Sequence, residues 1–315
     1  MTDEQKKIID YYIESNKNNE DEFNLVLEKL NECLSSFLNE IILNSNNEIF
    51  FKLHLLGEHF LNSNFDYENP INILIEVIYA NEENYNYSKA REQKLGVGKI
   101  LTDAFNANKQ QVYVENDLLN SLYKNFILKG DTFKAYKRKN CVYLKFLDYK
   151  FVLFFLTNNN SQNFNFTIKG SEYNLNLDET HKNLTEKNSQ TNGKFFNLIK
   201  FYKIIEKELF LIDKLKFEPS RILYFYENLL YNVPNELLNN NYIYDNFIES
   251  YNFLLKSYLN NSLENFISSD NKTLINDNYK LFAKYYITTH DISRLLKQCK
   301  VFINNIDDIL NNNKL

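Results

Sequence analysis

The fold is decided by two neighbouring stretches, TNGKFFNLIKFYK at residues 191–203 and SRILYFYENLLYNVPNELL at residues 220–238. Their apolar residues recur every three or four positions, which is the spacing that lets a helix bury one face. The same spacing is found at residues 247–259 and at residues 295–310. We therefore predict that the chain is helical from residue 195 almost to its end.

The first half mixes helix and strand patterns. Residues 22–43 carry a stripe of apolar residues that predicts an amphipathic helix, and residues 88–107 predict another. Between them, INILIEVIYA at residues 71–80 is rich in β-branched residues and follows Pro70, which a strand tolerates at its start. We predict a strand there, preceded by the apolar residues 49–60.

Residues 132–157 predict two strands that form a hairpin around Asp148 and Tyr149. The Asn-rich residues 158–166 predict a surface loop. The predicted order of elements is typical of the α+β class: a helix, strands, a second helix, a hairpin and then a helical second half.

The composition is that of a folded protein without strong attraction for polyanions. Of 315 residues 44% are hydrophobic, and 36 basic and 41 acidic residues give a net charge of −5. The charges are interspersed, so we expect no strong nucleic-acid binding. A local basic groove stays open as an alternative, because Lys134, Lys137, Arg138 and Lys139 form a dense basic run, although such a run is more often a solvated strand edge. The abundance of Asn, Lys, Phe and Tyr is typical of AT-rich coding.

The cysteines and the apolar runs predict a cytoplasmic protein. Cys33, Cys141 and Cys299 are far apart and have no metal-ligand spacing, so we interpret them as core residues in a reducing compartment. The N-terminus lacks the apolar segment of a signal peptide, and no apolar run has membrane-spanning length.

Two motifs in the second half have the spacing of a known family. In the first, a histidine precedes a Lys-Asn pair and a Thr-Asn-Gly triplet: His181, Lys187, Asn188, Thr191, Asn192 and Gly193. The second runs from a serine to an Asn-Val-Pro triplet: Ser220, Glu227, Leu229, Asn232, Val233 and Pro234. In these motifs the chain resembles bacterial nucleotidyltransferases of the cyclic-oligonucleotide-synthase type, in the cGAS-like, polymerase-beta-like superfamily. It has one residue fewer than the family after the histidine.

The resemblance covers about residues 23–310 and implies a fold and a division into domains. The fold would be a polymerase-beta-like nucleotidyltransferase core, a mixed sheet flanked by helices, followed by a C-terminal helical lobe. We place the first lobe, including the N-terminal helix, at residues 1–192 and the helical lobe at residues 193–315.

The resemblance also implies a nucleotide site. Residues 57–65, GEHFLNSNF, lie where the family has its Gly-Ser motif, so Gly57 aligns with the glycine and Glu58 replaces the serine. Lys200, Lys203 and Ser220 align with family positions of the triphosphate site.

The family's catalytic acids are missing from the matched positions. Those acids hold two Mg²⁺ ions that bind the triphosphate and activate the attacking hydroxyl. Here the three positions are Pro70, Asn72 and Val152. The resemblance therefore implies a protein that has lost catalysis, holds no metal or cofactor, and acts by binding a nucleoside triphosphate or a protein partner.

Two other functions stay open. Glu58, Asp66, Glu68 or Glu76 could supply relocated metal ligands, and the chain would then be a Mg²⁺-dependent enzyme making cyclic or linear oligonucleotides from nucleoside triphosphates. Alternatively, it is a structural partner of an adjacent effector. For His181, which we place in a loop, we favour a structural role over substrate contact.

Overall fold

The computed structural model describes residues 1–15, 20–44, 49–56, 71–79, 111–128, 133–138, 141–147, 149–157, 164–168, 171–211, 224–275 and 287–311. The described helices are α1 (Asp3–Ser15), α2 (Glu20–Asn44), α3 (Gln111–Leu128), α4 (Leu177–Gln190), α5 (Lys194–Leu211), α6 (Phe225–Tyr231), α7 (Ile243–Leu259) and α8 (Thr289–Asn311). The described strands are β1 (Ile49–Leu56), β2 (Ile71–Tyr79), β3 (Lys134–Arg138), β4 (Cys141–Phe146), β5 (Tyr149–Thr157), β6 (Phe164–Ile168) and β7 (Ser171–Leu175).

Five strands form one mixed sheet in the order β1-β2-β5-β4-β3. Strands β2 and β5 are parallel, and the other neighbours are antiparallel. Strands β6 and β7 form a separate antiparallel hairpin. The parallel pair at the centre of the sheet is what brings residues from distant parts of the sequence into register.

One face of the five-stranded sheet carries the core. Ile73 and Ile75 of β2 and Leu153 of β5 are at most 4% exposed, and they belong to one apolar cluster with Leu30 of α2 and Leu122 of α3. Because side chains alternate along a strand, the intervening residues lie on the opposite face. The described apolar side chains on that opposite face of β2 and β5 are also buried, and we call it the polar face for the Lys, Asn, His and Glu side chains that lie among them.

The later helices pack around buried aromatic rings. Phe201 of α5, Phe247 of α7 and Phe302 of α8 meet edge to face, with ring centroids 5.3 to 5.8 Å apart. Edge-to-face contacts of this kind add to the stabilisation from burial. These three rings pack α5, α7 and α8 against one another.

The chain forms two compact units. One contains α2 to β5, and the other contains α1 together with β6 to α8. Helix α1 joins the second unit through two polar contacts: Lys6 pairs with Asp245 at 2.8 Å, and Asp10 accepts a hydrogen bond from the backbone N–H of Ile243. These units do not coincide with the division at residues 192 and 193, which stays a prediction from the family resemblance.

The predicted α+β class, the helix at residues 22–43, the strand at residues 71–80 and the helical second half are confirmed. Three other predictions are wrong. Where we predicted one strand over residues 132–147, the structure describes two, β3 and β4. Residues 164–166 belong to β6 rather than to a loop, and His181 lies in α4 rather than in a loop. The helix predicted at residues 88–107 lies outside the described residues.

The described helices contain no segment both long and apolar enough to cross a membrane. The three cysteines are not linked by disulfides; Cys299 is 1% exposed, whereas Cys33 and Cys141 are half-buried. Burial raises the pKa of the Cys299 thiol, which fits its interpretation as a core residue.

Candidate functional site

Asn72 and Val152 lie side by side on the polar face. Strands β2 and β5 are parallel with Asn72 opposite Val152. The sequence places these residues 80 positions apart, and only the parallel pairing brings them together. The two positions that the resemblance aligns with metal-binding acids are thus direct neighbours on adjacent strands.

The side chains at this pair do not fit a two-metal site. Val152 is 3% exposed and offers no ligand atom. Asn72 is half-buried, and its Oδ1 has no hydrogen-bond partner within the described part of the chain. An amide oxygen carries no charge, whereas two Mg²⁺ ions need carboxylates. Across the described ranges, no three His, Cys, Asp or Glu side chains come together in a group that could hold a metal ion.

Glu76 has a buried partner on the same face. It follows Asn72 by four residues along β2, about 13 Å at the usual rise of a strand. Its Oε2 lies 2.7 Å from Nε2 of His54 on β1, and both residues are at most 5% exposed. A buried carboxylate needs such a partner. The described position of Glu76 is therefore explained by its contact with His54.

The remaining residues predicted for this site lie outside the described part of the chain. They are Gly57, Glu58, Asp66, Glu68, Pro70 and Ser220.

Lys200 and Lys203 lie three residues apart on α5, in the other unit. Lys200 is 6% exposed. The Lys203 ammonium lies 2.8 Å from Oε1 of Glu227 on α6, and the Glu227 side chain is 2% exposed. This ion pair neutralises a carboxylate that burial would otherwise make costly. In this structure, the ammonium group of Lys203 is therefore already paired with the Glu227 carboxylate.

The Thr-Asn-Gly triplet forms the joint between α4 and α5. Gly193 has φ +81°, a left-handed conformation that glycine adopts without strain, and its N–H donates to the Asn188 carbonyl at 2.8 Å. The Thr191 hydroxyl donates to the Lys187 carbonyl and accepts from the N–H of Phe195. The triplet thus satisfies polar groups at the end of one helix and the start of the next.

Lys187 connects this joint to the Asn-Val-Pro turn. It is 8% exposed, and its ammonium donates to the Val233 carbonyl at 2.7 Å and to Oδ1 of Asn235 at 2.9 Å. The same group lies 5.7 Å from the ring centre of Phe195 and 5.6 Å from that of Tyr231. Burial lowers the pKa of Lys187 to about 8.

Neither this role of Lys187 nor the pairing of His54 with Glu76 could be predicted from the sequence. Lys187 belongs to the first motif and contacts Val233 of the second, and the spacing of the two motifs does not specify that contact. His54 and Glu76 face the same side of neighbouring strands, which the register of β1 and β2 decides. His181, in contrast, has the structural contact we favoured: its Nε2 lies 3.0 Å from the Tyr224 hydroxyl.

Comparisons with known proteins identify the fold. Residues 182–311 match the model of the cGAS/DncV-like nucleotidyltransferase C-terminal helical domain. No curated protein matches the sequence.

Three solved structures illustrate the likeness over most of the chain. The Rhodothermus marinus CdnE c-UMP-AMP synthase, solved with Apcpp and Upnpp, is 15% identical with a TM-score of 0.59, covering 88% of this chain and 91% of that one. The Elizabethkingia meningoseptica CdnE cyclic dinucleotide synthase, solved with GTP and Apcpp, is 14% identical with a TM-score of 0.58, covering 86% and 91%. The E. coli MS115-1 CdnC in complex with HORMA-deltaN is 12% identical with a TM-score of 0.55, covering 92% and 85%.

At these identities the likeness establishes a shared fold, and a shared fold does not assign an activity. It agrees with the mixed sheet and the helical second half described above, and with the helical-domain match. The chain therefore has the nucleotidyltransferase fold of these structures, and its residues 182–311 match the C-terminal helical domain of the cGAS/DncV-like nucleotidyltransferases.

Proposed function

We propose that this protein has kept the nucleotidyltransferase fold and lost the metal-dependent reaction, and that it acts by binding a nucleoside triphosphate or a protein partner. The observation that supports the loss is the pairing of Asn72 with Val152. The resemblance calls for acids on two adjacent strands at these positions. The register supports that alignment, and an amide and a valine cannot replace the acids.

The contact between Glu76 and His54 argues against relocated catalysis. For Glu76 to bind a metal ion near Asn72, it would have to leave a partner 2.7 Å away in a buried position. Removing a buried carboxylate from its partner is costly. Of the four acids that could supply relocated metal ligands, Glu76 is the one that the structure describes, and it is already paired with His54.

The relatives suggest what is bound. Two of the solved structures contain nucleotides or their analogues, and the E. coli relative was solved with a HORMA protein. We propose that this chain binds ligands of the same two kinds, a nucleoside triphosphate or a protein. Its three cysteines, which are not linked by disulfides, fit a bacterial cytoplasm, which is reducing.

Lys203 is the residue we propose for triphosphate contact. Its ion pair with Glu227 means that a triphosphate would compete with a carboxylate for the same ammonium group. Nucleotide affinity should therefore be modest, and it should rise when the carboxylate is replaced by an amide.

An activity assay tests the loss of catalysis. The purified protein is incubated with labelled ATP, GTP, CTP and UTP and with Mg²⁺ or Mn²⁺, and the products are separated by chromatography. We expect no nucleotide product. A product that Glu76→Gln or Asp66→Asn abolishes would overturn the proposal and establish a relocated metal site.

A binding assay tests the role of Lys203. Calorimetric titration with ATP and GTP compares the natural protein, Glu227→Gln, and the double variant Lys203→Ala with Glu227→Gln. The double variant is preferred to Lys203→Ala alone because it does not leave a buried carboxylate unpaired. We expect Glu227→Gln to strengthen binding and the double variant to lose it. If no variant binds nucleotide while a protein co-purifies with all of them, the chain acts through that partner alone.

A further inference from the structure

Three lysines form a row across the polar face of the five-stranded sheet. Lys134 of β3 is opposite Lys145 of β4, and Lys145 is opposite Lys150 of β5. All three side chains are exposed. Neighbouring strands are about 4.8 Å apart, so the outer two backbone positions are separated by about 10 Å. We call this set the lysine row.

Protection of a sheet edge does not explain the lysine row. Lysines commonly occur on edge strands, where they prevent pairing with another chain, and β3 is an edge strand. That explanation applies to Lys134. It does not apply to Lys145 and Lys150, because β4 and β5 are interior strands with neighbours on both sides.

The row also places like charges directly opposite one another, which destabilises a sheet unless an anion lies between them. Lys134, Lys145 and Lys150 form no ion pair with any residue the structure describes. Lys137, from the same basic run, differs from them. It lies on the opposite face, and its ammonium donates to Oδ1 of Asn120 on α3. The strand register therefore places Lys134, from the basic run, beside Lys145 and Lys150, which lie outside that run in the sequence.

An aromatic row lies beside the lysine row on the same face. Tyr136 of β3 is opposite Tyr143 of β4, and Tyr143 is opposite Val152 of β5. Tyr136 is 59% exposed, and Tyr143 is half-buried. An exposed ring two residues along the strand from an exposed lysine is the combination with which proteins bind single strands, because bases stack on the ring while cations follow the phosphates.

We propose that the lysine row and Tyr136 bind single-stranded nucleic acid. The phosphates contact Lys134, Lys145 and Lys150, and a base stacks on Tyr136. The surface lies wholly within the unit of α2 to β5, so the proposal does not depend on nucleotide binding by Lys203 in the other unit.

The net charge of −5 limits the strength of this binding without preventing it. Within the described residues of the polar face of this sheet, the one carboxylate is that of Glu76, which is buried with His54. The surface is therefore locally basic on a chain that is acidic overall. We expect weak, strongly salt-dependent binding of short strands.

The test is fluorescence anisotropy with a labelled single-stranded RNA or DNA of about twelve nucleotides, a length that single-strand sites commonly cover. Affinity is measured at several salt concentrations. One variant carries Lys134→Gln, Lys145→Gln and Lys150→Gln. Its control carries Lys182→Gln, Lys297→Gln and Lys300→Gln, three exposed lysines of the other unit, so both variants lose the same charge.

We expect the variant of the lysine row to lose about tenfold or more in affinity at low salt, and its salt dependence to fall by about two in the log–log slope. The control should change less than about twofold by the same reasoning. Tyr136→Ala should lower affinity about fivefold with the slope unchanged, because stacking involves no phosphate.

Three outcomes would overturn the proposal. The first is no saturable binding at low salt. The second is an equal loss of affinity in the two triple variants, which would show diffuse attraction rather than a surface. The third is equal affinity for a duplex of the same length, because paired bases cannot stack on Tyr136.

Discussion

Lys187 should make the stability of the protein rise with pH between neutral and mildly alkaline conditions. Its ammonium is buried, and its two hydrogen-bond acceptors are a carbonyl and an amide oxygen, both neutral. Burial lowers the pKa of Lys187 to about 8, while the nearby charge of Glu236 opposes that shift. A lysine in the unfolded chain has its ordinary pKa of 10.5.

The sign follows from proton binding. Between the two pKa values the unfolded chain binds the proton and the folded chain releases it, so stability increases with pH in that window. The full difference between the pKa values of Lys187 in the folded and unfolded chains corresponds to about 3 kcal/mol of destabilisation of the folded state at neutral pH. Allowing for the remaining exposure of the side chain, we expect the free energy of unfolding to increase by about 1 to 2 kcal/mol from about pH 7 to about pH 9.5.

The measurement is urea denaturation followed by circular dichroism at several pH values in that range. It compares the natural protein with Lys187→Met, which keeps most of the volume and the contacts with Phe195 and Tyr231 and removes the titration. Lys182→Met, an exposed lysine on the same helix, is the control. Higher pH is avoided because tyrosines of the unfolded chain begin to lose their protons there. Burial raises the pKa of Tyr202 and Tyr226 well above that of those tyrosines, so their titration would lower stability with pH and oppose the effect of Lys187.

Lys187→Met should abolish the rise, and Lys182→Met should keep it. If the natural protein and Lys187→Met changed in parallel with pH, Lys187 would be charged throughout, and the effect that we attribute to its burial would be refuted.

Three further variants test other contacts, each by urea denaturation at neutral pH. Lys203→Ala leaves the buried Glu227 carboxylate without its ion pair and should cost about 1 to 3 kcal/mol, most of which a second change, Glu227→Gln, should restore; no recovery would contradict this. Asp10→Ala removes the acceptor for the first N–H of α7 and should cost about 1 kcal/mol, whereas a neutral result would show that water replaces it. His54→Leu removes a buried partner of Glu76 and should cost about 2 to 4 kcal/mol, more than His54→Gln, which can still donate a hydrogen bond; equal costs would contradict the importance of that bond.

The predictable parts of the fold are those with strong periodicity. The apolar stripe of residues 22–43 and the helices after residue 195 follow from sequence spacing, because each helix buries one face. The boundary between β3 and β4 did not follow, because residues 132–147 contain no Gly or Pro to mark a turn. Strand β6 was missed because the Asn-rich residues that lead into it predicted a loop, but its pairing with β7 outweighs that preference.

The residues of the candidate site could be singled out from the sequence, but the residues that they contact could not. Asn72 and Val152 could be singled out from a family pattern, yet their contact depends on a parallel pairing between strands far apart in the chain. Lys203 could be matched to a phosphate-binding position, but its ion pair with Glu227 depends on how α5 and α6 pack. The lysine row depends on two strand registers at once, which no local sequence pattern specifies.

The attachment of α1 to the second unit has a consequence for how the chain is made. Its contacts with α7 join residues 233 and 239 positions apart in the sequence. At ordinary rates of translation, α1 leaves the ribosome roughly 10 to 50 s before its partner helix. During this interval Ile9 and Ile13, which are at most 2% exposed in the folded protein, lack the residues that bury them. The strands β1 to β5 can form during that interval, so α1 is synthesised before them and yet reaches its native contacts after them.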